Sequence, residues 1–266
     1  MLSREGGRMS LLEHFRELRK RVVRSAIAIL LFSGAGWFFY PKIVNTLAKP
    51  ICDLDRSHIS GLAQSAQSGQ LGHCGALYVN GVLGPLNLQV TVSFYVGLIL
   101  SSPIWLYQLW AFVAPGLHSK EKRYAFSFIA VATPFFAGGA YLGYLVLPLA
   151  VKTLLGFTPA SINNLVRFDD YLNFVLRLIL VFGLAFEMPV FLLALNLANV
   201  LSGKAILKPW RVAIFGITFF TAAFSPTGDP LTMSILALPL IFLYFGAGVI
   251  ALLNDRRRSK KLRPHE

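Results

Sequence analysis

Three carboxylates stand out in a chain that is otherwise short of charge. Glu187 interrupts a long apolar run within Phe186-Glu187-Met188-Pro189. Glu17 and Glu121 lie among cations, in Glu17-Leu18-Arg19-Lys20-Arg21 and Lys120-Glu121-Lys122-Arg123. A carboxylate in a wet, basic setting suits receipt of a guanidinium through charge-assisted, bidentate bonds. Its plainer use is a local ion pair, which Arg21, four residues beyond Glu17 on a helix, would provide. A carboxyl in mid-bilayer is a different object. Placing an ionised one there costs about 2.5 to 3.5 kcal/mol on insertion scales, so it faces protein or a wet cavity. Pro189 adds a second polar feature by leaving the Ala185 carbonyl without its helical donor. Glu187 then reads either as an intramembrane docking or gating point or as a protonated structural carboxyl. The only two cysteines, Cys52 and Cys74, share one polar segment. An oxidising compartment would permit a disulfide between them. Unpaired thiols, or a metal pair with His58 and His73, are the alternatives. No phosphate-cradling glycine loop, His-Glu-x-x-His or G-x-S-x-G is found in the sequence, so no catalytic, cofactor or metal constellation is expected.

The elements that must position these groups are apolar helices. The 266 residues are 55% hydrophobic and 14% charged, against about 25% charged in soluble domains. Charges cluster between stretches long enough for a hydrocarbon core of about 30 Å. The stretches are Val22–Tyr40, Leu86–Val113, Tyr124–Leu147, Tyr171–Leu197, Pro209–Phe224 and Leu231–Leu253. The expected fold is therefore an all-α polytopic membrane protein with six transmembrane helices. Pro103, Pro134 and Pro239 should bend their spans by removing a backbone donor. The fifth stretch, about 16 residues or 24 Å long, falls short of the core and should thin the bilayer locally.

A net charge of +13 could suggest nucleic acid, but its distribution argues for a lipid bilayer and no nucleic-acid partner. Six spans put both termini on one side. That side carries the arginines and lysines of residues 4–24, 120–123 and 204–211, together with the Arg256-Arg257-Arg258 tail. Short loops rich in Lys and Arg stay cytoplasmic, which gives an N-in, C-in orientation in the cytoplasmic (plasma) membrane. The first stretch ends on Trp37-Phe38-Phe39-Tyr40, an aromatic anchor suited to an uncleaved span. Ser10 and Glu13 match a capping box. Leu11, Phe15, Leu18 and Val22 make one apolar stripe, as in a helix lying in the interface or a basic anchor on anionic lipid. The expected layout is a single six-helix domain over 1–253 and a basic tail over 254–266. Its parts are an amphipathic cytoplasmic helix (1–21), outer loops 41–85 and 148–170, cytoplasmic loops 114–123 and 198–208, and an outer turn 225–230.

At several points the chain resembles the TatC family, receptor subunits of the twin-arginine translocase. The similar segments are His14-Phe15-Arg16-Glu17-Leu18-Arg19-Lys20-Arg21; Ser102-Pro103 through Tyr107-Gln108-Leu109-Trp110-Ala111-Phe112-Val113-Ala114-Pro115-Gly116-Leu117; Glu121-Lys122-Arg123; Phe186-Glu187-Met188-Pro189; and Ser225-Pro226 to Asp229-Pro230. Pro50 also falls where the family has a proline. The resemblance implies a concave, glove-like arrangement of six spans and no enzymatic activity. It further implies binding of twin-arginine signal peptides of folded precursors, and export across the membrane on the protonmotive force with TatA- and TatB-like single-span partners. Signal-peptide binding would fall on Glu17 and Glu121, supported by Arg19, Arg21, Phe112 and Arg123. Partner docking would fall on Glu187, with Pro50, Pro103, Pro189 and Asp229 structural and a homo-oligomeric receptor complex as the working form. The chain departs from the pattern at Met233 and Phe245, where many relatives have Gln and Glu. The rival from another class is a small-solute secondary transporter. Such proteins often pair broken helices from two repeats around a midplane site, and no such pair is visible in the sequence.

Overall fold

The computed structural model describes residues 11–58, 77–113, 121–156, 166–224 and 230–261. It is almost wholly helical: α1 (Leu11–His58), β1 (Leu77–Tyr78), α2 (Gly84–Leu100), α3 (Ser102–Val113), α4 (Glu121–Gly156), β2 (Val166–Arg167), α5 (Phe168–Leu197), α6 (Gly203–Leu207), α7 (Trp210–Phe224) and α8 (Pro230–Lys261). Helices satisfy every backbone group internally, which the hydrocarbon core demands. Among the described residues, α1, α4, α5 and α8 contain windows apolar and long enough to cross a membrane. The pair α2–α3 makes a fifth candidate, bent by 59°. At 15 residues α7 is apolar but shorter. Large apolar side chains such as Phe38, Phe215 and Phe242 are exposed along the helices, as expected where lipid replaces water. The chain is a multi-pass membrane protein.

Three boundaries differ from the sequence expectation. Residues 41–58, expected within a loop, continue α1 through Pro41 and a buried Pro50. Each proline costs one backbone bond. Burial of Leu47 and Ile51 against α2, α4 and α5 offsets that loss. Likewise α4 runs through Pro148 to Gly156, well into the expected loop 148–170, because Leu147, Ala150 and Val151 are buried. The expected tail from residue 254 begins instead as the last turns of α8. A two-residue parallel ladder, Leu77↔Val166 and Tyr78↔Arg167, is the one β feature among the described residues.

The bend between α2 and α3 falls at Ser101, two residues ahead of Pro103. Pro103 has no amide for the Ile99 carbonyl. The Ser101 amide still donates to the Gly97 carbonyl at 3.0 Å. The Trp105 indole donates to the Leu98 carbonyl at 2.9 Å. The kink is thereby held at a fixed place.

Packing forms three clusters. One joins α1, α2, α4 and α5 through Leu47, Val92, Leu147, Leu172 and Phe182. Another joins α6, α7 and α8 through Ile206, Ile217, Leu240 and Tyr244. The third joins α3, α4 and α5 through Leu106, Ala132, Phe136 and Val190. Small residues bring backbones close, as is usual between helices in lipid. A Cβ on Gly97 of α2 would stand 2.6 Å from the Ser33 nitrogen of α1. One on Gly139 of α4 would overlap the Phe182 carbonyl of α5 and stand 2.8 Å from the Phe186 ring.

Candidate functional site

On α1, the sequence places acidic and basic groups on one face, and the structure brings them together. The Arg21 Nε donates to Glu17 Oε1 at 3.1 Å, and its Nη2 makes a second, shorter bond to the same oxygen. This is the i, i+4 pair anticipated from spacing. Glu17 and Arg21 share a shallow groove with Glu13, Arg16, Lys20 and Arg24. Arg19 is exposed and does not line that groove. Of the neighbouring apolar stripe Phe15 and Val22 are exposed and Leu18 is half-buried, and Leu12 outside the stripe is exposed as well. Cations on one face and apolar side chains on another are what an interfacial helix requires.

α3 leads back along α1. α2 is antiparallel to α1, with Gly36 against Ser93 and Gly97 against Ser33, and α3 also packs on α1. Phe112 lies half-buried in the last turn of α3. Two residues earlier, Trp110 stacks on Phe128 of α4 at 4.2 Å and meets Phe191 of α5 edge-on at 6.2 Å. Glu121 and Arg123 open α4, but their side chains lie outside the described residues, as do Ser10, Cys74 and Asp229.

Deep in α5, Glu187 is half-buried beside the seam with α4. Both its carboxyl oxygens are shielded and have no hydrogen-bond partner among the described residues. It faces the Phe136 backbone of α4 without meeting hydrogen-bond geometry. Three more shielded oxygens lack partners among the described residues: Gln108 Oε1 on α3, Thr133 Oγ1 on α4 and Asp169 Oδ1 at the start of α5. Shielded polar atoms without partners cost free energy. Pro189 is buried directly ahead of Val190 of the α3–α4–α5 cluster. Met233 is half-buried on α8, and Phe245 meets Tyr244 edge-on at 5.4 Å.

At the other end, Cys52 is disulfide-bonded in the last turns of α1. Arg167 donates to Asp169 at 2.6 Å. That bond, with the charges of Asp169 and Asp170, holds the exposed guanidinium above its ordinary range.

Sequence reasoning missed one polar network. Asn196, at the end of α5, donates from Nδ2 to the Leu201 carbonyl and to Asp255 Oδ1, both at 2.9 Å. Asp255 Oδ2 accepts the Gly203 amide at 2.7 Å, and Asn254 donates to Asn196 Oδ1 at 3.0 Å. The carboxylate thereby caps α6 and ties the α5–α7 connection to α8. One signal was present: Asp255 is the single acid directly ahead of three arginines.

Comparison with known proteins agrees over almost the whole chain. The family model for TatC, the Sec-independent protein translocase protein, matches residues 13–239. The Sec-independent protein translocase protein TatC of Xylanimonas cellulosilytica is 38% identical over 257 residues, 97% of this chain and 88% of its own. That of Aquifex aeolicus is 35% identical over 255 residues, covering 95% of this chain and 98% of its own. A crystal structure of the twin-arginine translocase receptor TatC in the detergent DDM superposes with a TM-score of 0.70 at 33% identity. That match covers 90% of this chain and 99% of the crystallised one.

Proposed function

The chain belongs to the TatC family of Sec-independent protein translocase proteins, and from that premise we propose that it is a receptor for twin-arginine signal peptides of folded precursors. The observation that carries the reading is the Glu17–Arg21 pair. Its carboxylate already receives a guanidinium from within the chain, Nε and Nη2 both on Oε1. A precursor's arginine pair would displace Arg21 from Glu17 and engage Glu121 as the second carboxylate. Arg19, Arg21 and Arg123 would support the site, and Phe112 would pack against the signal. The exposed Leu12, Phe15 and Val22 would receive apolar residues that follow the pair.

In this reading α7 is a sixth, short span, and both termini are cytoplasmic in the plasma membrane. The excess of Lys and Arg near α1, α6 and the end of α8 supports that orientation. Glu187, with its unpartnered oxygens, would accept a polar group from a TatA- or TatB-like single-span helix. A carboxyl desolvated at that depth gains most from such a bond. Homo-oligomers of the receptor complex would export folded cargo on the protonmotive force. Cys52 would be bridged to Cys74, and Pro50, Pro103, Pro189 and Asp229 would fix the shape of the scaffold. The test is export of a folded twin-arginine precursor in cells that depend on this chain. Glu187→Ala should stop export while the protein still accumulates in the membrane. Normal export by that variant would remove Glu187 from the mechanism.

A further inference from the structure

A groove of about 410 Å³ separates the first half of α5 from the end of α7. Its lining falls into two stripes on α5. Asp170, Asn173 and Arg177 form a polar one; Phe174, Leu178 and Val181 form an apolar one beside it that reaches about one turn deeper, to Val181. Ala223 and Phe224, the last residues of α7, close the other wall. α7 therefore ends within the stretch of α5 that runs from Asp170 to Val181. α5 begins at Phe168, nine residues and about 13 Å before Arg177 at 1.5 Å per residue. Arg177 is exposed, and no ion pair or hydrogen bond is made by its side chain among the described residues. The acid in the groove, Asp170, instead faces Arg167 at 3.7 Å.

We propose that this groove seats an anionic phospholipid, its phosphate on Arg177 and Asn173 and one acyl chain along Phe174, Leu178 and Val181. The charge is complementary, since the Arg177 guanidinium has no partner among the described residues and a basic residue at headgroup level attracts anionic lipid. A planar guanidinium binds phosphate oxygens bidentately. The Asn173 amide, one turn away on the same face, supplies another donor. The short α7 draws the membrane surface down to this level, so headgroups meet Arg177 rather than the start of α5. From that level Leu178 and Val181 run inward along α5, the direction an acyl chain takes from its phosphate.

The test uses the full chain reconstituted in phosphatidylcholine vesicles with photoreactive acyl-labelled phosphatidylglycerol or phosphatidylcholine, cross-links being mapped by peptide mass spectrometry. The intact chain should label at 174–181 about fivefold more from phosphatidylglycerol than from phosphatidylcholine, the order expected for one basic residue near a membrane surface. Arg177→Gln should erase that excess while labelling along α1 stays unchanged. Equal labelling by the two lipids, or an excess that survives Arg177→Gln, overturns the proposal. So does loss of the label to millimolar glycerol phosphate, which would identify a free-phosphate site. A second copy of the chain cross-linked into the groove in place of lipid overturns it as well.

Discussion

Adjacent glycines in α4 should respond in opposite directions to the same substitution. Gly138 has open space where a Cβ would stand, whereas a Cβ on Gly139 overlaps the Phe182 carbonyl and approaches Phe186 Cγ to 2.8 Å. At Gly138, alanine removes backbone freedom from the unfolded chain and meets no clash. It should stabilise by up to about 1 kcal/mol. At Gly139 the same entropic gain is outweighed. Relieving the overlap requires α4 and α5 to part by about 0.5 to 1 Å, which forfeits much of the dispersion energy along the seam. Overpacking of this kind costs about 1 to 3 kcal/mol, and backbone atoms, unlike a long side chain, cannot swing aside. The seam also sets the position of Glu187, next to Phe186, so Gly139→Ala should impair export as well as stability. The assay is equilibrium unfolding by SDS in mixed micelles, followed by far-ultraviolet circular dichroism and tryptophan fluorescence. Gly138→Ala should shift the midpoint upward or leave it unchanged, and Gly139→Ala should lower it. Equal shifts for the two variants would refute the claim that backbone contact between α4 and α5 defines this seam.

Asp255→Ala leaves the Gly203 amide without its acceptor and removes one bond from Asn196, both charge-assisted. A loss of about 2 to 4 kcal/mol is expected, read as a lower thermal midpoint in detergent, with α7 becoming more open to protease. Cys52→Ser should cost about 3 kcal/mol if the bridge to Cys74 closes the segment between them, by the loop-entropy estimate. The double variant with Cys74→Ser should cost no more than either change alone, checked in the same unfolding assay. Tyr171→Phe removes a buried hydroxyl that donates to the Leu47 carbonyl at 2.7 Å. A loss of about 1 kcal/mol and faster amide exchange in the last turns of α1 should follow.

Much of this architecture is legible from residue types alone. Apolar runs mark the membrane helices, and the i, i+4 relation of Glu17 and Arg21 gives their ion pair directly. What escaped was the reach of the helices beyond the apolar runs. Pro41 and Pro50, flanking Lys42 and Lys49, read as the start of a loop. Yet Ile43, Leu47 and Ile51 keep a helical four-residue spacing, and tertiary burial overrides the breakers. The same holds at Pro148, with Leu147 and Val151 on either side. The Leu77–Val166 ladder has no local signature, because two residues carry no periodicity and the partners lie far apart in sequence. Glu187 was visible as a charge among apolar residues. Gln108 and Thr133, whose shielded oxygens also lack partners among the described residues, were not, since a neutral polar residue in a span usually satisfies itself on its own helix. Asp255 and Asn196 form their clamp across 59 residues of separation, a distance over which residue type offers little guidance.

Binding of a fluorescent twin-arginine signal peptide to the detergent-solubilised chain bears on the receptor reading with the fewest intervening steps. The comparison is a twin-lysine peptide, together with the Glu17→Gln and Glu121→Ala variants. A guanidinium bonded to a carboxylate is worth about 1.5 to 3 kcal/mol, so the twin-lysine change and each variant should weaken binding about tenfold or more. Arg19→Gln, outside the Glu17 groove, should weaken it less than Glu17→Gln. If both peptides bind intact and variant chains alike, recognition does not pass through these carboxylates, and the proposed receptor site is wrong.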